Sequence, residues 1–465
     1  HQAMTQNDAE GNNIALGTGA LGGVINGGEY NVAIGNFALD ALTSGDENIA
    51  IGYNAGDAIS DTSSTVLIGI HAGSTINSTD ANGTVAIGYY AGAAITSGQY
   101  NTAIGYEALL TATTANQSVA IGYEALKLMA SGTANVAIGR GAYMSADGSE
   151  NNNVAIGFNS AQDVNNNLST GNVWVGSHSG VGGTGSQIGN VAVGDDALNG
   201  TNSRDATFNT IVGRSAANGT WVGGGTENIA IGYSAFAGPV NRAHYNTALG
   251  TYALAGIVSG DYNVAVGRQA GDAITTTAGT ISIGAAALGG ITTTGDYTIA
   301  IGYGAMGGAE IGDGNIAIGY QSMQNANAAG FHRNTALGYQ TMQGVGSNSA
   351  TDNVTIGWRA GYSITTGDAN TFLGVSAGGA STDVDRTVAV GMEAMGADNA
   401  TSAADGTVAV GYRAGYSINS GIGNTAVGSY ALDAEDDGDF NTAIGYQALT
   451  AQTGTSGEVG NTAVG

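Results

Sequence analysis

The chain has 465 residues with 81 Gly, one Pro and no Cys; 42% are hydrophobic and 10% are charged. Ten basic against 36 acidic residues give a formal charge of −26, which argues against nucleic acid and anionic membrane surfaces as partners. The composition also excludes disulfides and thiolate chemistry, simple disorder, and, for want of any apolar run of about eighteen residues, a membrane-inserted helix.

A five-residue unit recurs from one end to the other. Asn31–Gly35 reads Asn-Val-Ala-Ile-Gly, and variants stand at Asn101–Gly105, Asn135–Gly139, Asn315–Gly319, Asn441–Gly445 and Asn461–Gly465. With the closing Gly as marker, 26 copies lie between Gly17 and Gly465, in steps of 17 to 20 residues that average about 18. A fixed period of this length predicts an all-β fold: a parallel β-solenoid, or β-roll, of about 26 coils. No interval is long enough to hold a separate domain, so one continuous array over 1–465 is expected. The first residues, His1 to Met4, show no basic-then-apolar leader. The chain begins and ends in mid-pattern, as a segment of a longer fibre protein would.

Within a repeat, the position four before the Gly is Asn, Thr or Ser. The positions three and one before are mostly Val, Ile, Thr or Leu, and the one between them is usually Ala. Strict alternation of β-branched and small residues predicts a short strand. The large face, Val136 and Ile138 for example, is expected to point into the coil, and the Ala face to lie against a close neighbour. Three after the Gly stands Ala, Ser or Thr, followed by Leu, Met or Gly (Leu39, Leu109 and Met306 against Gly56, Gly92 and Gly271). This reads as a second, weaker strand or a turn. A variable loop such as Ser259-Gly260-Asp261-Tyr262 then absorbs the differences in length.

The Asn column predicts a structural ladder through Asn31, Asn48, Asn101, Asn135, Asn263, Asn315 and Asn441. Side-chain amides repeated at strand spacing can bond to one another and to the turn backbone. Between about 139 and 250 the pattern is less regular. Trp174 and Ile211 replace the small-face Ala, Trp221-Val222-Gly223 is extra, and Pro239 is the only proline. Leu67 and Phe372 break the small face elsewhere; all four are expected to be local repackings.

Asn-Val-Ala-Ile-Gly-x-x-Ala resembles the YadA-like head repeat of trimeric autotransporter adhesins, and Asn441–Leu449 is similar to repeats of phage tail-fibre proteins. The resemblance covers essentially the whole chain. It implies a homotrimer, three β-rolls wound around a common axis, in an extracellular setting on a virion tail or cell surface. The repeats here are longer than the adhesin head's, which implies larger outward loops.

Chemistry-bearing motifs are few. Gly17–Gly22 and Gly302–Gly307 match G-x-G-x-x-G, but no helix-forming sequence follows Gly22, so neither reads as a dinucleotide site. The acidic run Asp433–Asp439 reads as a solvated loop in preference to a calcium site. His71, His178, His244 and His332 lie in distant coils at different phases. No catalytic, cofactor-binding or metal residues are predicted, and the chain is not expected to be an enzyme. Tyr directly after the Gly forms a column, notably Tyr89, Tyr106, Tyr123, Tyr303, Tyr320 and Tyr339. Its two readings are a stiffening aromatic ladder and a surface-binding platform.

The functional expectation is a structural or adhesive fibre segment giving reach and attachment to a host surface through a glycan or protein receptor. Alternatives are a self-assembling extracellular filament subunit and an ice-binding or glycan-binding solenoid. Ice binding would need an outward Thr array, whereas Thr102, Thr247, Thr425 and Thr442 are expected on the inward face.

Overall fold

The computed structural model describes residues 11–290, 295–308, 312–325, 330–344, 349–397, 400–434, 437–451, 457–458 and 460–465. Of the acidic run, Glu435 and Asp436 therefore lie outside the described residues. The chain is an all-β parallel β-solenoid, with 26 three-residue main strands, one to each repeat of about 18 residues. It divides into two compact units, His1–Ser234 with Pro239–Arg242, and Ala235–Gly238 with Ala243–Gly465.

In the first unit the main strands run from Ile14–Leu16 to Ile229–Ile231. Each pairs in parallel with the next at an unshifted register, as where Thr102, Ala103 and Ile104 face Val119, Ala120 and Ile121. In the second unit they run from Thr247–Leu249 to Thr462–Val464, with the same pairing from Thr425 to Thr442. The closing Gly of each strand permits this stacking. Gly105 holds φ at +136°, and a Cβ there would meet the carbonyl oxygen of Gly122 at 2.3 Å. A side chain at this phase would push successive coils apart, which is the physical reason for Gly in every copy.

The facing of the strands is the reverse of the sequence expectation. Ala103, Ala120 and Ala137 are fully buried inside the coil, whereas Val136 and Ile138 point outward and are half-buried. The interior is too narrow for two large walls, because the turn segment supplies Leu109, Leu126 and their equivalents from the opposite side. Thr102, Thr247, Thr425 and Thr442 likewise lie on the outward face, half-buried. The inward placement that weighed against an ice-binding face is thereby corrected; the interspersed Val and Ile remain.

The segment after the Gly is a turn, not a second strand. Residues two and four after the Gly are left-handed, for example Glu107 (φ 53°) and Leu109 (φ 55°). Alternating hand coils the backbone instead of extending it. Left-handed φ costs an ordinary residue about 1–2 kcal/mol. It is held here by hydrogen bonds between coils: Glu107 N donates to Tyr89 O at 2.9 Å, and Leu109 N to Ala125 O at 2.9 Å. Among the described residues, additional short strands occur only locally: Gln187–Ile188, Ala206–Thr207 and Gly225–Thr226 pair in the first unit, and Gly438–Asp439 with Gly457–Glu458 in the second.

Candidate binding surfaces

The Asn column lies inside the coils, where the amides bond to the backbone and side chains of neighbouring coils. Asn31 Nδ2 donates to Gly45 O at 2.8 Å, and its Oδ1 accepts from Asn48 N at 2.9 Å and Asn48 Nδ2 at 3.0 Å. Asn101 Nδ2 reaches Ala115 O at 2.6 Å, and its Oδ1 accepts from Ser118 N at 3.0 Å. Asn135 bridges Glu150 O and Asn153 N. Asn263 joins Asn246, Thr277 and Thr280, and Asn315 joins Phe331 and Asn334. Asn441 N donates to Asn424 Oδ1, and Asn441 Oδ1 accepts from Asn461 N. The amides of Asn31, Asn101, Asn135, Asn263 and Asn315 are buried with both nitrogen and oxygen engaged in structural bonds, which suits a ladder better than a ligand site.

The loop acids form a second column that the sequence reading passed over. Asp368 Oδ1 accepts Thr351 N at 2.6 Å, Asp385 Oδ1 accepts Asp368 N at 2.7 Å, and Asp405 Oδ1 accepts Asp385 N at 2.8 Å. The recurrent Asp two residues before the ladder position, as at Asp368, Asp385 and Asp405, was the available signal: a carboxylate there caps an orphan N–H of the preceding coil.

Tyrosines of the predicted column meet in two runs. Tyr89 and Tyr106 stack at 5.2 Å between centroids and 11° between planes, and Tyr106 and Tyr123 at 5.1 Å and 8°. Arg140 covers the end of this run, 5.7 Å from the Tyr123 centroid. Tyr303, Tyr320 and Tyr339 form the second run at 5.5 and 4.9 Å. All six are exposed, but near-parallel neighbours occupy both ring faces of Tyr106 and Tyr320 and one face of the rings beside them. A sugar docks on an open ring face, so these runs suit stiffening of the coil edge better than ligand stacking. A further set of aromatics, one residue before the ladder position, lies over glycines of the preceding coil. A Cβ on Gly83 or Gly189 would stand 2.7 Å from the ring of Tyr100 or Phe208. Gly immediately before the ladder residue was the missed sequence signal.

The histidines are separated as their phases imply, but His178 meets Asp195 and Asp196 of the next coil. Their donor atoms lie within 4.8 Å of one another. Sequence spacing hid this grouping because the partners are one whole coil away. Ser177 Oγ already holds His178 Nδ1 at 3.1 Å and Arg214 approaches Asp195 at 3.6 Å, which makes it a surface ion cluster. His71 stacks on Tyr90, and His332 Nδ1 accepts Asp313 N.

A further coherent surface is the outward strand face, where Val, Ile, Leu and Thr stand in register. Several are more than a third exposed, including Ile49, Ile229 and Ile231 in the first unit and Leu249, Leu337, Leu373 and Ile444 in the second. No helix among the described residues is long and apolar enough to cross a membrane. Neither a protein-family model nor a curated protein matches the chain.

Proposed function

We propose that the chain is the repeat region of an extracellular attachment fibre, a homotrimer in which three copies pack their outward Val/Ile faces around a common axis. The observation that carries this reading is the in-register, half-exposed apolar strand face in each unit. A contiguous apolar surface of this kind is costly in water and marks an interface. The YadA-like and tail-fibre resemblance supplies the number three and the attachment role. Stability would accumulate coil by coil through nearest-neighbour contacts, which suits a part that must resist unfolding while bearing load.

The test is solution mass by light scattering behind size exclusion, on the wild type and on Ile138→Asp combined with Ile121→Asp. The wild type should give three times the 45.7 kDa chain mass, and the variant should fall to one. Both side chains point outward, so the coils should keep their circular dichroism. A wild-type particle of 45.7 kDa overturns the trimer; mass that grows without limit with concentration favours the filament.

A further inference from the structure

Two eight-residue turns of the second unit are nearly the same sequence. Gly357–Ile364 reads Gly-Trp-Arg-Ala-Gly-Tyr-Ser-Ile, and Gly411–Ile418 differs only in Tyr for Trp. Both place an arginine against the tyrosine three residues on: the Arg359 guanidinium carbon is 4.0 Å from the Tyr362 centroid, and that of Arg413 is 4.0 Å from Tyr416. Their surroundings differ. Arg413 is neutralised by Glu393 at 2.9 Å, and the following coil presents Tyr430, packed edge-on to Tyr412 at 5.1 Å, and Asp433. At the first turn, the positions of Tyr430 and Asp433 are taken by Ser376 and Gly379. Arg359 makes no ion pair among the described residues, although the chain carries 36 acids against ten basic residues.

The small residues leave a groove of about 370 Å³ lined by Trp358, Arg359, Tyr362, Ser363, Ser376 and Gly379. Trp358 is 47% exposed, whereas the other two tryptophans, Trp174 and Trp221, are buried. It sits in the column that elsewhere carries stacked tyrosines, but its neighbour in the next coil is Val375, so no ring repeats beyond it. Arg359 lies against Trp358 as well, 5.4 Å from the centroid. Stacking occupies the flat face of a guanidinium and leaves its N–H edge for an acceptor.

We propose that this groove binds an acidic saccharide, a sugar ring bearing a carboxylate or sulfate. The exposed aromatic surface suits the apolar face of a pyranose, the Ser363 and Ser376 hydroxyls suit its hydroxyls, and the uncompensated Arg359 suits its anionic group. A bare anion would use the arginine alone, and a neutral sugar would leave it unmatched. The matching turn at Gly411 is the closed form of the same design, its charge and space already taken. This deepens the attachment reading by naming a receptor chemistry. It uses turn residues and not the strand face, so it can fail while the trimer stands, and the reverse.

The experiment titrates the full chain with galacturonic acid, galactose-6-sulfate and galactose, following tryptophan emission and saturation-transfer NMR. Galacturonic acid or the sulfate should bind, with galactose at least about tenfold weaker, the scale of one lost charge-assisted hydrogen bond. Which of the two acids binds tells carboxylate from sulfate recognition. Arg359→Gln and Gly379→Asp should each remove the preference, and Arg413→Gln should leave it intact. Aspartate is already accepted at the position of Gly379 in the matching coil, so the second variant tests the groove without threatening the fold. Equal binding of galactose, no binding of either acid, or binding unchanged in Arg359→Gln overturns the proposal.

Discussion

The coils around Gly105 to Gly139 and those around Gly176 and Gly213 differ as sequences far more than as interiors. In the first set a buried Ala sits on the strand and a large residue on the turn: Ala103 with Leu109, Ala120 with Leu126, Ala137 with Tyr143. In the second the sizes are exchanged. Trp174 is buried on the strand opposite Gly180, whose added Cβ would lie 1.8 Å from the indole, and Ile211 is buried with Ala217. The same exchange pairs Phe372 with Gly378 and Leu67 with Gly73. Where both positions are small, a third fills the space: Ile95 lies against Gly92, and Ile274 against Gly271. Strand and turn positions thus trade size in these coils, because a close-packed interior tolerates neither a void nor an excess methylene; the third position does not balance them, since Leu42, Met129 and Ile257 are buried beside Leu39, Leu126 and Leu254.

The largest expected effect comes from undoing that exchange. Trp174→Ala should cost about 3–5 kcal/mol by opening a cavity, and Gly180→Leu alone should cost at least about 3 kcal/mol by collision with the indole. Combined, they rebuild the Ala/Leu interior of a regular coil, so the double variant should be more stable than either single one in denaturant unfolding. Left-handed backbone is no obstacle, since Leu109 and Leu126 adopt it at the equivalent position. Additive losses would refute the exchange between strand and turn.

Next in size is the ladder, which both kinds of coil use alike. Asn101→Ala strips a partner from Ala115 O and from Ser118 N, both buried, and should cost about 2–3 kcal/mol. Asn101→Thr should cost less, because Thr84 fills the same position one coil earlier and bonds to Ala81 O at 2.8 Å. Amide exchange across Thr102–Ile121 would report the difference, and equal losses for Ala and Thr would count against a hydrogen-bonded ladder.

The smallest effect lies where the regular coils end. Glu150 is fully buried, its Oε2 accepts Gly148 N at 3.1 Å, and its Oε1 has no partner. Burial raises its carboxyl above the ordinary 4.5, and the buried phenol of Tyr143 beside it is raised too. The folded chain therefore keeps this proton to higher pH than the unfolded chain. Its stabilising effect is complete below 4.5 and is lost as pH rises through the folded value. Glu150→Gln should accordingly raise the melting temperature at pH 7 and leave it nearly unchanged at pH 4. A gain of the same size at both would exclude titration as the cause.

Period, strand position, the Asn and Gly columns and the irregular middle were all legible as sequence. The columns are local rules repeated along 26 strands, and repetition turns a weak local preference into a definite pattern whose lapses in the middle then stand out. The groove at Arg359 was not legible, because its distinction from the turn at Arg413 lies in residues one coil away, at Ser376 and Glu393. Nor was the acidic capping column, whose bonds run from each loop to the backbone of the coil before it.

The direction of the strands was beyond the sequence for a different reason. Alternation of Val-Ala-Ile says that two faces differ, but a period of two is symmetric and assigns neither to the inside. Hydrophobicity alone favours burying Val136 and Ile138. The closed coil decides otherwise: its width, fixed by the turn residues opposite, admits Ala137 and leaves the larger pair outside. Sequence determined what repeats, and closure of the coil determined which side of the repeat meets the world.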